Sequence, residues 1–380
     1  MHSSSRKTWS QETLALKEHL AGPRDVGFLT YEKRAMLLLA LKTAAAAGIC
    51  YWLAKLAGLQ DGYWGSISAI IVLQSNVGST VTASRDRLIG TLIGAAYGAV
   101  FSFLGESLWP YLLAVITAMV TCSLLGLKNS SRLAAVTVTI LMLVHRTGSN
   151  WTLPLHRVLE VLLGIVVALA ISTLVLPDRA KVRLRDGLAQ EFLLMGSVFD
   201  LIMQRFHGGP ATELPRLHKD MEELATTNAQ LLDAARNEPS GGKASLEGLS
   251  LMHQFGRSLD DLLNALELAA EPHEDSGSEG RRDYAEQLEP ELSALATDVQ
   301  HGFTYLAGCI HRWSFHAEPE EIDTERAIAD LDSKLAEVRP TVLGFMQADI
   351  LRTYAVQLHL KQLARLLRSA RIETGEAVRL

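Results

Sequence analysis

"YWGSISAIIVLQSNVGSTVTASRDRLIGTLIGAAYG", residues 63–98, begins as an apolar helix, turns polar at Gln74, meets Arg85 and Arg87, and becomes apolar and glycine-rich again. The alternation reads as two membrane helices joined by a polar tract. A bilayer core about 30 Å thick takes roughly 20 mostly apolar residues per helix. Working outward from this stretch, candidate spans fall at 35–58, 63–81, 87–105, 109–127, 132–146 and 157–177. The second is polar in its later half, and the fifth has a short apolar run between Arg132 and His145.

Almost all the long apolar runs precede Pro177, whereas the chain from Asp178 onward is charged, amphipathic and broken by polar linkers. The expected fold class is all-α: a cytoplasmic N-terminal segment over 1–34, a six-helix transmembrane bundle over 35–177, and a cytoplasmic helical bundle domain over 178–380. Net charge divides at the same place, about +2 over 1–34, +4 over 35–177 and −12 over 178–380. That distribution argues against nucleic-acid binding, because phosphate recognition needs a cationic surface and the soluble half is strongly acidic overall. Cys50, Cys122 and Cys309 are odd in number and far apart, so they describe neither a disulfide framework nor a zinc site. The N-terminus "MHSSSRKTWSQETLALKEHLAG" lacks the apolar core and cleavage site of a signal peptide and reads as an amphipathic cytoplasmic segment.

Loop cations set the orientation. With the N-terminus inside, the cytoplasmic side receives Arg24, Lys33, Arg34, Arg85, Arg87, Lys128, Arg132, Arg179, Lys181, Arg183 and Arg185, while "GLQDG" and "GESLWP" outside hold acids and no Lys or Arg. Both termini are then cytoplasmic and Asn150 is outside. The outer loop from Val144 to Arg157 breaks the rule with His145, Arg146, His156 and Arg157, and reads equally as an ordinary cationic loop or as a functional one.

Charges at membrane depth cost at least about 2.5 to 3.5 kcal/mol on insertion scales, so each needs a partner, a wet cavity or a route to the interface. Lys42 lies two turns inside the first span, Arg87 opens the third, and Arg157 with Glu160 opens the sixth. Arg157 and Glu160, three apart, share a helix face and can pair. Arg87, near the cytoplasmic surface, and Lys42 can snorkel; otherwise they line a pathway. The tract from Gln74 to Ser84, with Gln74, Asn76 and a possible break at Gly78, is tolerated at that depth only against protein or water. Beside Lys42 and Arg87 it would supply amide, hydroxyl and cationic donors and almost no carboxylates, a lining suited to anions. The competing reading is an early helix end followed by a polar loop. Stripes of small residues at four-residue spacing (Ala40, Ala44, Gly48; Gly90, Gly94, Gly98; Gly164, Ala168, Ser172) provide for close helix packing, within one copy or between two.

Enzyme motifs are absent. "SGGKAS" at 240–245 lacks the leading glycine and the Ser/Thr of a phosphate loop. "CIHRWSFH" puts Cys309, His311 and His316 on no common helical face. No cofactor or metal is called for. In the soluble half, periodic apolar spacing predicts helices over 178–207, 212–236, 245–270, 283–316, 320–338 and 340–371, with a mobile acidic linker "EPHEDSGSEG" at 271–280.

"LALKTAAAAGICYWLAKLAGL", "GYWGSISAIIVLQSNVGSTVTASRDRLIGTLIGA" and "HRVLEVLLGIVVALAISTLVLP" resemble the fusaric acid resistance and aromatic acid exporter proteins, and more distantly the plant aluminium-activated malate transporters. The likeness rests on Lys42 in the first span, Tyr63 and Trp64 opening the second, Arg87 with Gly90, Thr91 and Gly94 in the third, and Arg157 with Glu160 and Gly164 in the sixth. It implies a multi-pass cell-membrane protein, in the inner membrane of a Gram-negative cell, that is no enzyme and moves organic anions, exporting aromatic or other carboxylic acids along a cation-lined route. One membrane half stands here where longer exporters have two, so the resemblance also implies a homodimer. The substrate-binding candidates are Lys42, Gln74, Asn76, Arg87, Arg157 and Glu160. The alternative is a membrane-anchored helical scaffold or regulator without transport activity, in which the cations are paired or snorkel.

Overall fold

The computed structural model describes residues 27–59, 61–105, 107–143, 152–175, 179–238, 243–271, 284–315, 323–339 and 347–379. The loop residues His145, Arg146 and Asn150, residues 1–26, and all but the first residue of the acidic linker lie outside them. Among the described residues all regular structure is helical. The chain divides into two compact units, one formed by Asp25–Ala180 with Ala234–Pro239, the other by the remainder.

The first unit contains α1 (Gly27–Leu56), α2 (Tyr63–Val72), α3 (Val77–Ser102), α4 (Leu108–Leu124), α5 (Lys128–Leu143) and α6 (Thr152–Leu174). Two segments, Met36–Leu56 and Pro154–Leu174, are by themselves long and apolar enough to cross a bilayer, and α2 and α4 are apolar but shorter. The central helix is α3, which packs on α4 and α5 on one side and on α6 on the other, while α1 and α2 close against α6. Two apolar clusters follow from that order. Ala46 and Cys50 of α1 meet Ala69 and Val72 of α2 and Val161, Ile165 and Ala168 of α6. Ala114, Ala118 and Cys122 of α4 meet Ala134 and Val138 of α5. Large apolar side chains are left exposed instead of buried, among them Leu37, Leu41, Ile49 and Trp52 on α1 and Leu113, Ile116, Val120 and Leu124 on α4.

Several boundaries differ from the sequence expectation: the first helix already begins at Gly27 and not near 35, and the last runs over Gln347–Arg379 and not 340–371. The second helix ends at Val72 and not near 81, and the third begins at Val77 and not near 87. The break comes before Gly78 because Asn76, in extended conformation, caps α3: its side-chain oxygen accepts from the Ser79 amide at 2.8 Å. Ten residues of α2 rise only about 15 Å, half a bilayer core. Beyond the cap, the hydroxyls of the polar tract turn onto their own helix, Thr80 to the Asn76 carbonyl (2.9 Å), Thr82 to Gly78 (3.1 Å) and Ser84 to Thr80 (2.7 Å). That is how a block of polar residues continues as helix.

Two of the small-residue stripes, those of α3 and α6, are engaged inside the unit, while Ala40, Ala44 and Gly48 of α1 are exposed. A Cβ on Gly90 would stand 2.7 Å from the Ser130 carbonyl oxygen, and one on Gly94 would stand 2.5 Å from that of Ala134, both on α5. On Gly164 it would stand 2.3 Å from the Gly65 carbonyl oxygen and 2.7 Å from the Ser68 Cβ. These contacts account for the α3 and α6 stripes without a second copy. Because the obstructing atoms at Gly164 are largely backbone, Gly164→Ala is expected to force α2 off α6 and cost about 1 to 3 kcal/mol or more. Gly48→Ala, where a Cβ meets nothing within 4 Å, should be neutral or slightly stabilising. Melting temperatures of the two variants in detergent check this; equal melting would contradict the close approach.

The second unit is built on α7 (Ala180–Phe206), α8 (Leu214–Arg236), α9 (Lys243–Ala270), α10 (Glu289–Arg312), α11 (Thr324–Val338) and α12 (Gln347–Arg379). Helix α12 packs along α9 and α10, and α10 also meets α11. Phe192, Met195, Phe199, Phe303, Leu259 and Leu263 are fully buried or nearly so. A polar pair is buried with them: the Asn228 amide of α8 donates to Glu191 of α7 at 2.6 Å, and both side chains are almost completely enclosed. Arg352 donates to the carbonyls of Phe206 and Ala270 at 2.9 Å each, closing the ends of α7 and α9.

Candidate anion site around α2

The short helix α2 carries Trp64 and Ser68 four residues apart, on one face, against α6 and α3. Its backbone can come this close to α6 because Gly65 and Gly164 leave out their side chains where the helices meet. Three charged side chains converge on that face. Arg87 of α3 is 2% exposed, and its Nε donates to the Ser68 hydroxyl at 3.1 Å. Arg157 of α6 is 3% exposed, lies over the Trp64 ring at 4.1 Å from its centroid, and donates through Nη1 to Glu160 Oε2 at 3.2 Å. Glu160 is 2% exposed. The field of Arg157 reaches Arg87, and Asp61, half-buried just before α2, acts on both Arg157 and Glu160.

Three nitrogens in this group, Arg87 Nη1, Arg157 Nε and Trp64 Nε1, are buried without a hydrogen-bond partner. All three are donors. A buried, unpaired donor costs about 1 to 3 kcal/mol and more when it is charged, so a row of them is complementary to an acceptor-rich ligand. A carboxylate, with two oxygens and about four lone-pair positions, matches. Among the described residues no group of three or more His, Cys, Asp or Glu side chains could hold a metal ion.

Of the residues singled out from sequence, Arg87, Arg157 and Glu160 come together here. Arg87 does not snorkel: it lies ten residues, about 15 Å, beyond the start of α3 and is enclosed. Its neighbour Asp86 turns the other way and accepts from the Ser130 hydroxyl of α5 at 3.3 Å. Lys42 is half-buried and engaged in an interaction, on the same four-residue row of α1 as the buried Ala46, Cys50 and Ala54. Asn76 is taken up in capping α3, and Gln74 is exposed, donating to the Ile71 carbonyl at 3.1 Å. Ser68 and the role of Trp64 as a lid on Arg157 were not foreseen; their i, i+4 spacing on an otherwise apolar helix was the available signal.

Residues 49–171, which hold nearly all of this group, match the fusaric acid resistance protein-like family. The chain is 24% identical over 298 residues to the inner membrane protein YccS of Escherichia coli, a match covering 76% of the chain and 38% of that protein. An uncharacterized protein of Haemophilus influenzae is 24% identical over 233 residues, covering 60% of the chain and 32% of the relative. One from Schizosaccharomyces pombe is 27% identical over 281 residues, covering 65% and 21%. The chain therefore spans roughly a fifth to two-fifths of the length of these relatives. The comparisons lend no support to the more distant likeness to plant malate transporters.

Proposed function

We propose that the chain is a membrane permease or channel subunit for organic anions, in which a carboxylate passes the buried donors of Arg87, Arg157 and Trp64. The observation that carries this reading is the pair of enclosed guanidiniums whose free nitrogens, together with the indole N–H, are all donors. The match of residues 49–171 to the family model and the inner-membrane description of the Escherichia coli relative support a bilayer location. So do the large apolar side chains left exposed on α1, α4 and α6. In this reading α1 to α6 form the transmembrane bundle and α7 to α12 the cytoplasmic one. The termini are inside, in the inner membrane of a Gram-negative cell, and a second copy completes the pathway. Aromatic or other carboxylic acids leave the cell through it, and the protein performs no catalysis.

The reading is tested by flux into proteoliposomes of the purified chain with benzoate, succinate and chloride. Carboxylate flux above that of empty liposomes, exceeding chloride flux, is the expected result. Flux indistinguishable from empty liposomes for all three anions would overturn it and favour a membrane-anchored scaffold.

A further inference from the structure

Glu160 is the one acidic side chain fully enclosed in this group, and its bond to Arg157 is made by the guanidinium that an incoming carboxylate needs most. Arg157 is already covered on one face by Trp64, so a ligand reaches it along its edge, where Nε is free and Nη1 holds Glu160. Two carboxylates on one guanidinium in an enclosed site repel each other, and the standard resolution is that one of them takes a proton. We infer that Glu160 couples anion binding to a proton: a carboxylate entering the site displaces Glu160 from Arg157, and Glu160 takes up one proton as it is released. The inference rests on the anion-site reading above and deepens it by giving the site a coupling ion.

The surroundings of Glu160 single it out. On its own helix the facing charge is Arg157, and His156, one turn before Glu160, is exposed. Asp61 and Tyr63 lie at the start of α2, and Arg87 of α3 acts through Arg157. From α1 the nearest titratable groups are Cys50, whose sulfur would stand 2.9 Å from a Cβ on Gly65, and Lys42 two turns further along the same row. Asp61 is only half-buried and has water within reach, so a second negative charge costs it less. A proton taken up at Glu160 leaves two cations facing one anion, whereas ionised Glu160 competes with the ligand. Anion affinity must therefore rise as pH falls, and by linkage anion binding must draw in a proton.

The test is calorimetric titration of benzoate into the full-length protein in detergent, at pH 6 and pH 8, in buffers of different ionisation enthalpy. Carboxylate ligands remain ionised throughout this window. Expected for the wild type are proton uptake approaching one per benzoate and an affinity about tenfold or more tighter at pH 6. Glu160→Gln should bind with no proton uptake and little pH dependence, while the control Asp86→Asn, on the α5 side of α3, behaves as wild type. Wild-type binding without proton uptake would overturn the inference whether or not Glu160→Gln folds, and so would equal uptake in Glu160→Gln. Absence of saturable benzoate binding by the wild type at either pH would instead remove the anion site on which the inference stands.

Discussion

Arg87→Gln lowers carboxylate flux by about tenfold or more while the protein stays folded. A cation about 4 Å from an anion contributes on the order of 1 to 4 kcal/mol at effective dielectric constants between water and a protein surface, and 1.4 kcal/mol is a factor of ten. Glutamine can still donate to the Ser68 hydroxyl, so the α2–α3 contact survives while the positive charge and the unpaired Nη1 are lost. Removing an enclosed charge that no carboxylate offsets directly also removes a desolvation cost, so the melting temperature should stay level or rise. Lys55→Gln, an exposed position at the end of α1, is the control and should leave flux unchanged. Flux in Arg87→Gln equal to wild type, with the fold intact, would make this arginine a structural cation. A fall in flux together with a collapse in melting temperature would point to packing instead.

The second large effect belongs to the other unit and is read by pH. Burial pushes the Glu191 carboxyl up to about 7; the Asn228 amide opposes the shift and Asp260 adds to it. Asp260 of α9 is itself raised, by burial and by Asp261, with His218 and Arg257 opposing. Since the folded value of Glu191 lies above the unfolded one, its contribution favours folding most below about pH 4.5 and is lost as pH rises through about 7. The total is on the order of 3 kcal/mol, from about 1.4 kcal/mol per pKa unit. Lowering the pH from 8 to 6 should therefore raise the protection of amides in α7 and α8 relative to their intrinsic exchange rates at each pH. Glu191→Gln, which keeps an oxygen for the Asn228 amide, should show the higher protection already at pH 8. Local exchange is the proper measure, because it reads α7 and α8 apart from the other compact unit. Unchanged pH dependence in Glu191→Gln would contradict the assignment.

Much of the helical order was legible because it is local. Apolar runs and periodic spacing placed twelve helices within a few residues at most ends, with the starts of α1, α6 and α10, the α2–α3 break and both ends of α12 further off, and the Arg157–Glu160 pair followed from a spacing of three. The end of α2 was not legible from hydropathy, since Leu73 continues the apolar run. The signal lay in Asn76, a capping residue three before Ser79, and capping decided the outcome over glycine. The glycine stripes announced close packing but not its partners. Gly94 meets α5 and Gly164 meets α2 through contacts distant in sequence, so a stripe alone cannot distinguish packing within one copy from packing between two. The same limit applies to the site. That Arg87 is enclosed depends on Ser68 being brought to it across the α2–α3 break, a tertiary fact with no local period. Gln74 and Asn76 looked like lining residues because amides at membrane depth need partners, and their partners proved to be their own backbone neighbours.

The central claim is that an organic anion occupies the donors along α2. The direct measurement is a structure of the full-length protein with 4-iodobenzoate, the iodine located by its anomalous signal. The account predicts the carboxylate among Arg87, Arg157 and Trp64, with Glu160 moved off Arg157, and no such density in Arg87→Gln. Iodine density only at the apolar outer faces, with the Arg157–Glu160 bond intact at saturating ligand, would contradict it.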